Sequence, residues 1–358
     1  MFLFKLGQSV LMQMDPERAH QLTIKALKSG ALPIPKASIS SRLAVTLPKS
    51  GLQLASPVGL AAGFDKNADV PNAMAKFGFG FLECGTVTPK AQDGNPKPRL
   101  FRLKEDRAVI NRMGFNNAGL GAFVANLKVY RGSAPIGANV GANKTTEDKA
   151  EDYETGIKIV YPYADYITIN ISSPNTPGLR GLQDKASLSD LLQRCEAAHG
   201  TAKIENPTLA DRPVFLKLAP DLDTHAVDDI VAVVGNEGSW LAGLIVSNTT
   251  LERPDSLISD AKAEAGGLSG TPLMALSTQV LGQFAERLEG RFDLIGAGGI
   301  GSAEDAYAKL KAGAHAVQLY SMLVYEGIDL VSRINDGLVE LMDRDGVANL
   351  QALVDGEA

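Results

Sequence analysis

Residues 166–181 read Y-I-T-I-N-I-S-S-P-N-T-P-G-L-R-G. From 167 to 171 the run is uncharged and rich in β-branched residues, the signature of a buried strand. It then breaks into Ser172, Ser173, Pro174, Asn175, Thr176 and Pro177, and two prolines that close together exclude both a regular ladder and a helix. A strand that ends abruptly in Asn, Ser and Thr sets several uncharged hydrogen-bonding groups at one edge of a sheet, the edge where α/β proteins hold ligands. An Asn/Ser/Pro loop also serves merely to turn a chain, and the surrounding sequence decides between the two.

Outward from this stretch the same grammar repeats. Apolar runs at 58–62, 80–84, 136–140, 166–170, 214–218, 243–247, 294–297 and 316–319 alternate with helix-like segments such as 68–77, 148–161, 186–199, 224–236, 275–288 and 302–312. Such alternation predicts an α/β chain folded as a (β/α)8 TIM barrel, with a doubly wound open sheet as the alternative. Two long insertions interrupt it, 86–135 and 248–272, on the side of the strands where barrels place lids and sites. The barrel is expected over 52–358. Before it come a linker over 31–51, marked by Pro33, Pro35 and Pro48, and a small helical domain over 1–30. In that domain Asp15-Pro16-Glu17 is a helix start and Gly30 a stop. Phe2, Leu3, Phe4, Leu6, Val10, Leu11, Met12 and Met14 cover most of the helix before it. A helical pair this small cannot bury so much apolar surface within itself, so it either packs on the barrel or lies in a membrane interface.

Composition narrows the function. A net charge of −6 and a pI near 5.4 argue against a nucleic-acid partner, which asks for a basic face. The two cysteines, Cys84 and Cys195, form no metal-ligand pattern and suit a reducing compartment. No run approaches the ~18–20 apolar residues of a membrane span, and the N-terminus lacks the marks of a signal or transit peptide.

The strand ends supply the chemistry. The first runs into A-A-G-F-D-K-N (61–67), where Gly63 allows close approach of a flat ligand and Lys66 brings a charge. Thr86, Asn139 and Asn170 follow on the next strands. Lys217 sits inside V-F-L-K-L, where an ammonium must be paired or face a polar ligand. Ser247, Asn248 and Thr249 end the sixth strand. The seventh ends in G-A-G-G-I-G (296–301) and the eighth in Tyr320-Ser321; glycine turns feeding helix N-termini at these two strands form a phosphate cradle. His20, His199, His225 and His315 fall in helix-like or turn positions, and Asp65 is the one acid among the strand ends, so no metal site and no Ser–His–Asp triad assembles. A bound cofactor must then carry the reaction. One phosphate, an extended polar surface and a lysine able to stabilise an anionic ring suggest FMN.

These motifs resemble the class 2, quinone-linked dihydroorotate dehydrogenases along nearly the whole chain: D-P-E-R-A-H (15–20), A-A-G-F-D-K-N (61–67), G-N-P-K-P-R-L-F-R-L (94–103), N-R-M-G-F-N-N (111–117), N-I-S-S-P-N-T-P-G-L-R (170–180) and I-G-A-G-G-I (295–300). The resemblance implies an FMN barrel that oxidises (S)-dihydroorotate to orotate in pyrimidine (UMP) synthesis. It implies FMN contacts from Ala61, Ala62, Gly63, Thr86, Asn139, Asn170, Lys217, Ser247, Gly270, Gly299, Tyr320 and Ser321. Substrate contacts fall on Lys66, Asn111, Met113, Gly114, Phe115, Asn170, Asn175, Asn248 and Thr249. Ser173 falls on the catalytic base, which takes a proton from C5 while hydride leaves C6, and Thr176 and Phe115 fall on positions tied to its proton relay. Soluble class 1 relatives carry Cys where Ser173 stands. The N-terminal helices imply peripheral attachment at the cytoplasmic side of a bacterial-type cell membrane, with His20 and Arg102 in a quinone tunnel. Met113 departs from the Tyr or Leu common there, a change expected to affect packing. A tRNA dihydrouridine synthase would need a basic face and a catalytic Cys. A non-enzymatic flavin binder would not need Lys66, Asn111, Ser173 and Asn175 together.

Overall fold

The structure, a computed structural model, describes residues 8, 10–30 and 37–356. Eight apolar runs become parallel strands: β1 (Val58–Leu60), β2 (Phe81–Val87), β3 (Ile136–Val140), β4 (Tyr166–Asn170), β5 (Val214–Leu218), β6 (Gly243–Val246), β7 (Asp293–Ala297) and β8 (Ala316–Leu319). Each pairs with its neighbours in chain order, and β8 returns to β1, closing the barrel. A doubly wound sheet is thereby excluded. Helices Pro71–Met74, Gly119–Leu127, Lys149–Val160, Lys185–Glu205, Thr224–Gly235, Met274–Leu288, Ala303–Lys311 and Leu330–Asp345 follow the eight strands.

The barrel interior is filled in layers. Phe81, Tyr166 and Phe215 meet edge to face, with ring centroids 6.3 and 5.7 Å apart. Gly59, Gly137 and Gly243 make room for them: a Cβ at these positions would lie 2.3, 2.1 and 2.7 Å from a ring atom. Two residues further along the same strands the interior turns polar, with Glu83, Thr168 and Lys217, joined by Gln318 from β8. The register pairs Asn139 with Thr168 and Asn170 with Lys217, so the polar groups of β2 to β5 converge below the mouth.

Where the sequence reads as a linker, the described part is packed. Residues 45–54 form a hairpin, Val45–Thr46 against Gln53–Leu54, with Leu43, Val45 and Leu47 buried. Its turn donates two backbone N–H groups to Asp293 at the start of β7 (3.0 and 2.8 Å), closing the barrel's lower end. At the opposite end the two insertions meet in one antiparallel sheet, where Ala108–Asn111 pairs with both Leu100–Leu103 and Gly267–Gly270. A small core of Leu103, Ala108, Ile110, Leu257 and Leu268 lies beneath it.

The expected second N-terminal helix is α1 (Pro16–Lys28), capped by Asp15, whose carboxylate accepts from Arg18 N at 2.9 Å. Of the first helix only residue 8 and residues 10–14 are described; Phe2, Leu3, Phe4 and Leu6 lie outside the described residues. Buried Glu17 anchors α1 through a two-pronged bond to Arg99 (2.7 and 3.1 Å), while Val10 and Leu22 stay exposed. Among the described residues no helix is long and apolar enough to cross a membrane.

Candidate active site

One cavity of about 1630 Å³ runs from the mouth of the barrel to α1. Of the residues singled out from the sequence, it is lined by Ala62, Gly63, Thr86, Asn170, Lys217, Tyr320, Ser321, Lys66, Asn111, Met113, Gly114, Phe115, Ser173, Asn175, Asn248, Thr249, His20 and Arg102. A side compartment of about 90 Å³ adds Ala61, Ser247, Gly270 and Gly299. Asn139 and Thr176 line neither space.

Asn139 belongs to the layer below. Its amide donates to Glu83 (2.7 Å), and its oxygen accepts from Thr86 Oγ1 (2.6 Å) and from Asn170 Nδ2 (3.1 Å). Glu83, fully buried, is the hub: it also accepts from Thr168 Oγ1 (3.0 Å) and Gln318 Nε2 (2.9 Å) and faces Lys217 Nζ at 3.4 Å. The ammonium in V-F-L-K-L is therefore paired within the barrel and also reaches the cavity. Glu83 is the main residue the sequence reading missed. The signal was present: it stands in F-G-F-L-E-C-G, two places after inward-facing Phe81, where an acid has no other place to point.

One wall of the cavity is made of amides and hydroxyls. Asn175 Nδ2 approaches Asn111 Oδ1 (3.3 Å), and Asn248 Nδ2 donates to Ser172 Oγ (2.9 Å), which donates to Asn170 Oδ1 (2.7 Å). Ser173 is 5% exposed, and its Oγ accepts from Asn175 N at 3.3 Å. Thr176, three residues on in the same loop, is also buried, its Oγ1 without a partner among the described residues. Arg180 fastens this loop, donating to Ser172 O (3.1 Å), Asp221 (2.5 Å) and Thr249 O (2.8 Å). Gly114 and Phe115 both adopt positive φ (69° and 53°). Such a backbone is unusual for Phe and puts the ring against the Gly141 backbone.

Lys66 Nζ donates to Asn116 Oδ1 at 3.0 Å. Burial, aided by the Arg99 charge, lowers its pKa to about 8, so the amine is cationic at neutral pH and close to titration. Asp65 next to it faces away and caps the turn, accepting from Asp69 N and Val70 N (2.7 and 2.8 Å); burial raises its pKa to about 6. No acid lines the side compartment among the described residues; glycine turns, Ser247, Ser321 and Lys217 do. An acceptor-only anion such as a phosphate fits that donor set.

Toward α1 the cavity becomes apolar, with Leu11, Met14, Ala19, Leu22, Leu323 and Val324 in its walls. The passage between the two regions is aromatic: Phe64 meets His20 and Tyr320 edge-on, centroids 5.4 and 5.6 Å away. Burial, with the Lys66 charge, lowers the His20 pKa to about 4, and burial raises that of Tyr320 to about 12. Both rings are uncharged at neutral pH. Arg102 holds the chain before α1, donating to Met14 O at 2.9 Å.

Comparison with known proteins places this geometry. A family model described as dihydroorotate dehydrogenase matches residues 42–342. A protein of Rhizobium rhizogenes named dihydroorotate dehydrogenase (quinone) is 51% identical, with 98% of this chain and 95% of that one covered. A Cereibacter sphaeroides protein of the same name is 49% identical over 98% of this chain and 97% of its own length. A crystal structure of a DHODH from Eimeria tenella in complex with ferulenol matches with a TM-score of 0.90 at 39% identity, covering 96% of both chains.

Proposed function

The chain belongs to the dihydroorotate dehydrogenase family, and from that premise we propose that it oxidises (S)-dihydroorotate to orotate on FMN, in pyrimidine (UMP) synthesis, and passes the electrons to a membrane quinone. The observation that carries this reading is the single cavity. It joins a polar pocket, built of amides, hydroxyls and one lysine, to an apolar passage beside α1. A carboxylated pyrimidine suits the first, a lipid-soluble acceptor the second.

FMN bound here supplies the two-electron chemistry that the side chains lack. The acid-free compartment beside Gly270, Gly299 and Ser321 would hold its phosphate. Ala61, Ala62, Gly63, Thr86, Asn170, Lys217, Ser247 and Tyr320 would hold the rest, with Asn139 in the layer below orienting Thr86 and Asn170.

The amides of Asn111, Asn170, Asn175 and Asn248 can each offer both a donor and an acceptor to a pyrimidine ring. Thr249 and the 113–115 backbone complete the substrate site, and Lys66 pairs with the carboxylate. Ser173 takes the C5 proton. A serine does this only where water is excluded and the proton can be passed on; its burial, and the buried, unpartnered Thr176 hydroxyl in the same loop, suit that task. Phe115 shields the pair. His20 and Arg102 line the quinone's path, and α1 with the residues before it rests on the cytoplasmic face of the membrane as a peripheral domain over 1–30.

The test is an anaerobic titration. Purified protein should be yellow, bleach with dihydroorotate, and regain colour when quinone is added. A flavin that stays oxidised under dihydroorotate sinks the proposal.

A further inference from the structure

Lys309 lies in Ala303–Lys311, the helix that follows β7, and is fully buried. Its stem runs over Gly296 of β7, where a Cβ would come within 3.0 Å of it. Its ammonium donates to Ser277 Oγ (2.7 Å) and Thr278 Oγ1 (3.0 Å) on the neighbouring helix. It makes no ion pair with an acid among the described residues. Ser277 Oγ in turn lies 3.0 Å from the carbonyl of Gly298, which opens the glycine turn of the side compartment.

Burying an ammonium without a carboxylate is costly, and a well-packed apolar side chain of the same length would fill the slot without that cost. Asp305, one turn earlier on the same helix, favours the charged form through space without a direct ion pair, so a further negative charge close by would stabilise the ammonium. We propose that Lys309 is a positioning residue for the cofactor phosphate: through Ser277 it fixes the Gly298–Gly299 turn, and its charge lies beneath the anion that the turn receives. The proposal rests on the FMN reading above. It fits the surroundings, because burial holds the Lys309 pKa down to about 7, with Asp305 opposing; a bound anion restores the charged form. Gly299 is equally constrained, with φ 82° and a virtual Cβ 2.5 Å from the Met274 backbone, so the turn offers its N–H groups without side-chain obstruction.

The test compares FMN with riboflavin, which lacks the phosphate. Dissociation constants are measured from flavin fluorescence on the full chain and on Lys309→Met. The variant should bind FMN at least about tenfold more weakly, the scale of one charge at close range in a partly shielded interior, and riboflavin as tightly as the parent does. Equal loss of both flavins, or no loss of either, overturns the proposal. Should Lys309→Met fail to fold, Ser277→Ala keeps the ammonium but cuts its link to Gly298. It should lower the FMN-to-riboflavin preference in the same direction, and an unchanged preference overturns the proposal. A parent protein that binds neither flavin removes the FMN reading itself, a result distinct from these.

Discussion

Replacing Glu83 by Gln probes the hub on which the cavity floor is built. One carboxylate oxygen receives Asn139 at 2.7 Å and faces Lys217 at 3.4 Å; the other receives Thr168 at 3.0 Å and Gln318 at 2.9 Å. A glutamine offers one acceptor oxygen and one NH2. Turned toward Asn139 and Lys217, its NH2 meets two donors; turned toward Thr168 and Gln318, it can donate to the Thr168 hydroxyl but still meets the Gln318 amide donor. Lys217 would lose its carboxylate and keep only neutral amide acceptors, Gln318 Oε1 at 3.5 Å among them. Removing one partner of a buried ion pair costs about 3–5 kcal/mol. An unfolding entropy of about 2.1 cal/mol/K per residue makes this a fall of roughly 4–7 °C in Tm for a chain of this length. Thermal unfolding of flavin-free protein, followed by circular dichroism, measures it. The double variant Glu83→Gln/Lys217→Met should recover more than half of the loss, because no ammonium is left to pair, yet should bind flavin poorly. A single variant within about 1 kcal/mol of the parent, or a double variant no more stable than the single, would refute the assignment of Glu83 as the counter-ion of Lys217.

Ser173→Ala should slow flavin reduction by dihydroorotate by about 10²–10⁴-fold while FMN stays bound; anaerobic stopped-flow absorbance reads both, and near-normal reduction removes Ser173 from its role. Lys66 gives a pH dependence. With its pKa near 8, the cation is present below that pH and lost above it, so the Kd for anionic orotate should be flat below pH 8 and rise about tenfold per unit above it. Lys66→Met should bind weakly at every pH, without that limb, and a wild-type Kd independent of pH from 7 to 10 contradicts the carboxylate assignment. Deleting residues 1–30 should impair reoxidation by quinone; a reoxidation rate equal to the parent's would detach α1 from the quinone path.

The barrel was legible because its strands are short, mostly apolar runs, several of them ended by Gly, Asn or Ser, as at Gly141, Asn170, Ser247 and Gly298; only their limits moved, as where β2 runs on from Phe81 to Val87. The rim residues were legible for a related reason: a polar group that follows a buried strand has one place to go. Pairings across the chain were not. Lys217 and Glu83 are 134 positions apart, and nothing local in either strand names the other. The same holds for the sheet over the mouth, where Gly267–Gly270 joins Ala108–Asn111 across the whole barrel. Nor does a lysine in an amphipathic helix announce that it is buried. Lys309 reads as a surface residue until Gly296 and Ser277 are seen around it.

The two ends of the cavity differ in what they can ionise, and that difference bears on how one space could serve two reactants. The substrate end holds Lys66, close to titration, whereas the passage beyond it is bounded by a histidine and a tyrosine that burial keeps uncharged. A charged ring there would disfavour an apolar acceptor by the same desolvation that shifts these groups. The ends are nonetheless mechanically joined. Glu17 of α1 holds Arg99; Arg99 donates to Asn95 O (2.8 Å); Asn95 Nδ2 donates to the backbone oxygen of Asn175 at 3.1 Å. Removing α1 would therefore strip the apolar wall of the passage and also free Arg99 behind the loop that carries Asn175. A deletion alone confounds the two effects. Glu17→Gln separates them, because it keeps the helix and its apolar face while weakening the Arg99 anchor. If the anchor positions Asn175, this variant should raise the KM for dihydroorotate and leave that for quinone unchanged; the opposite pattern would assign Glu17 to the quinone passage instead.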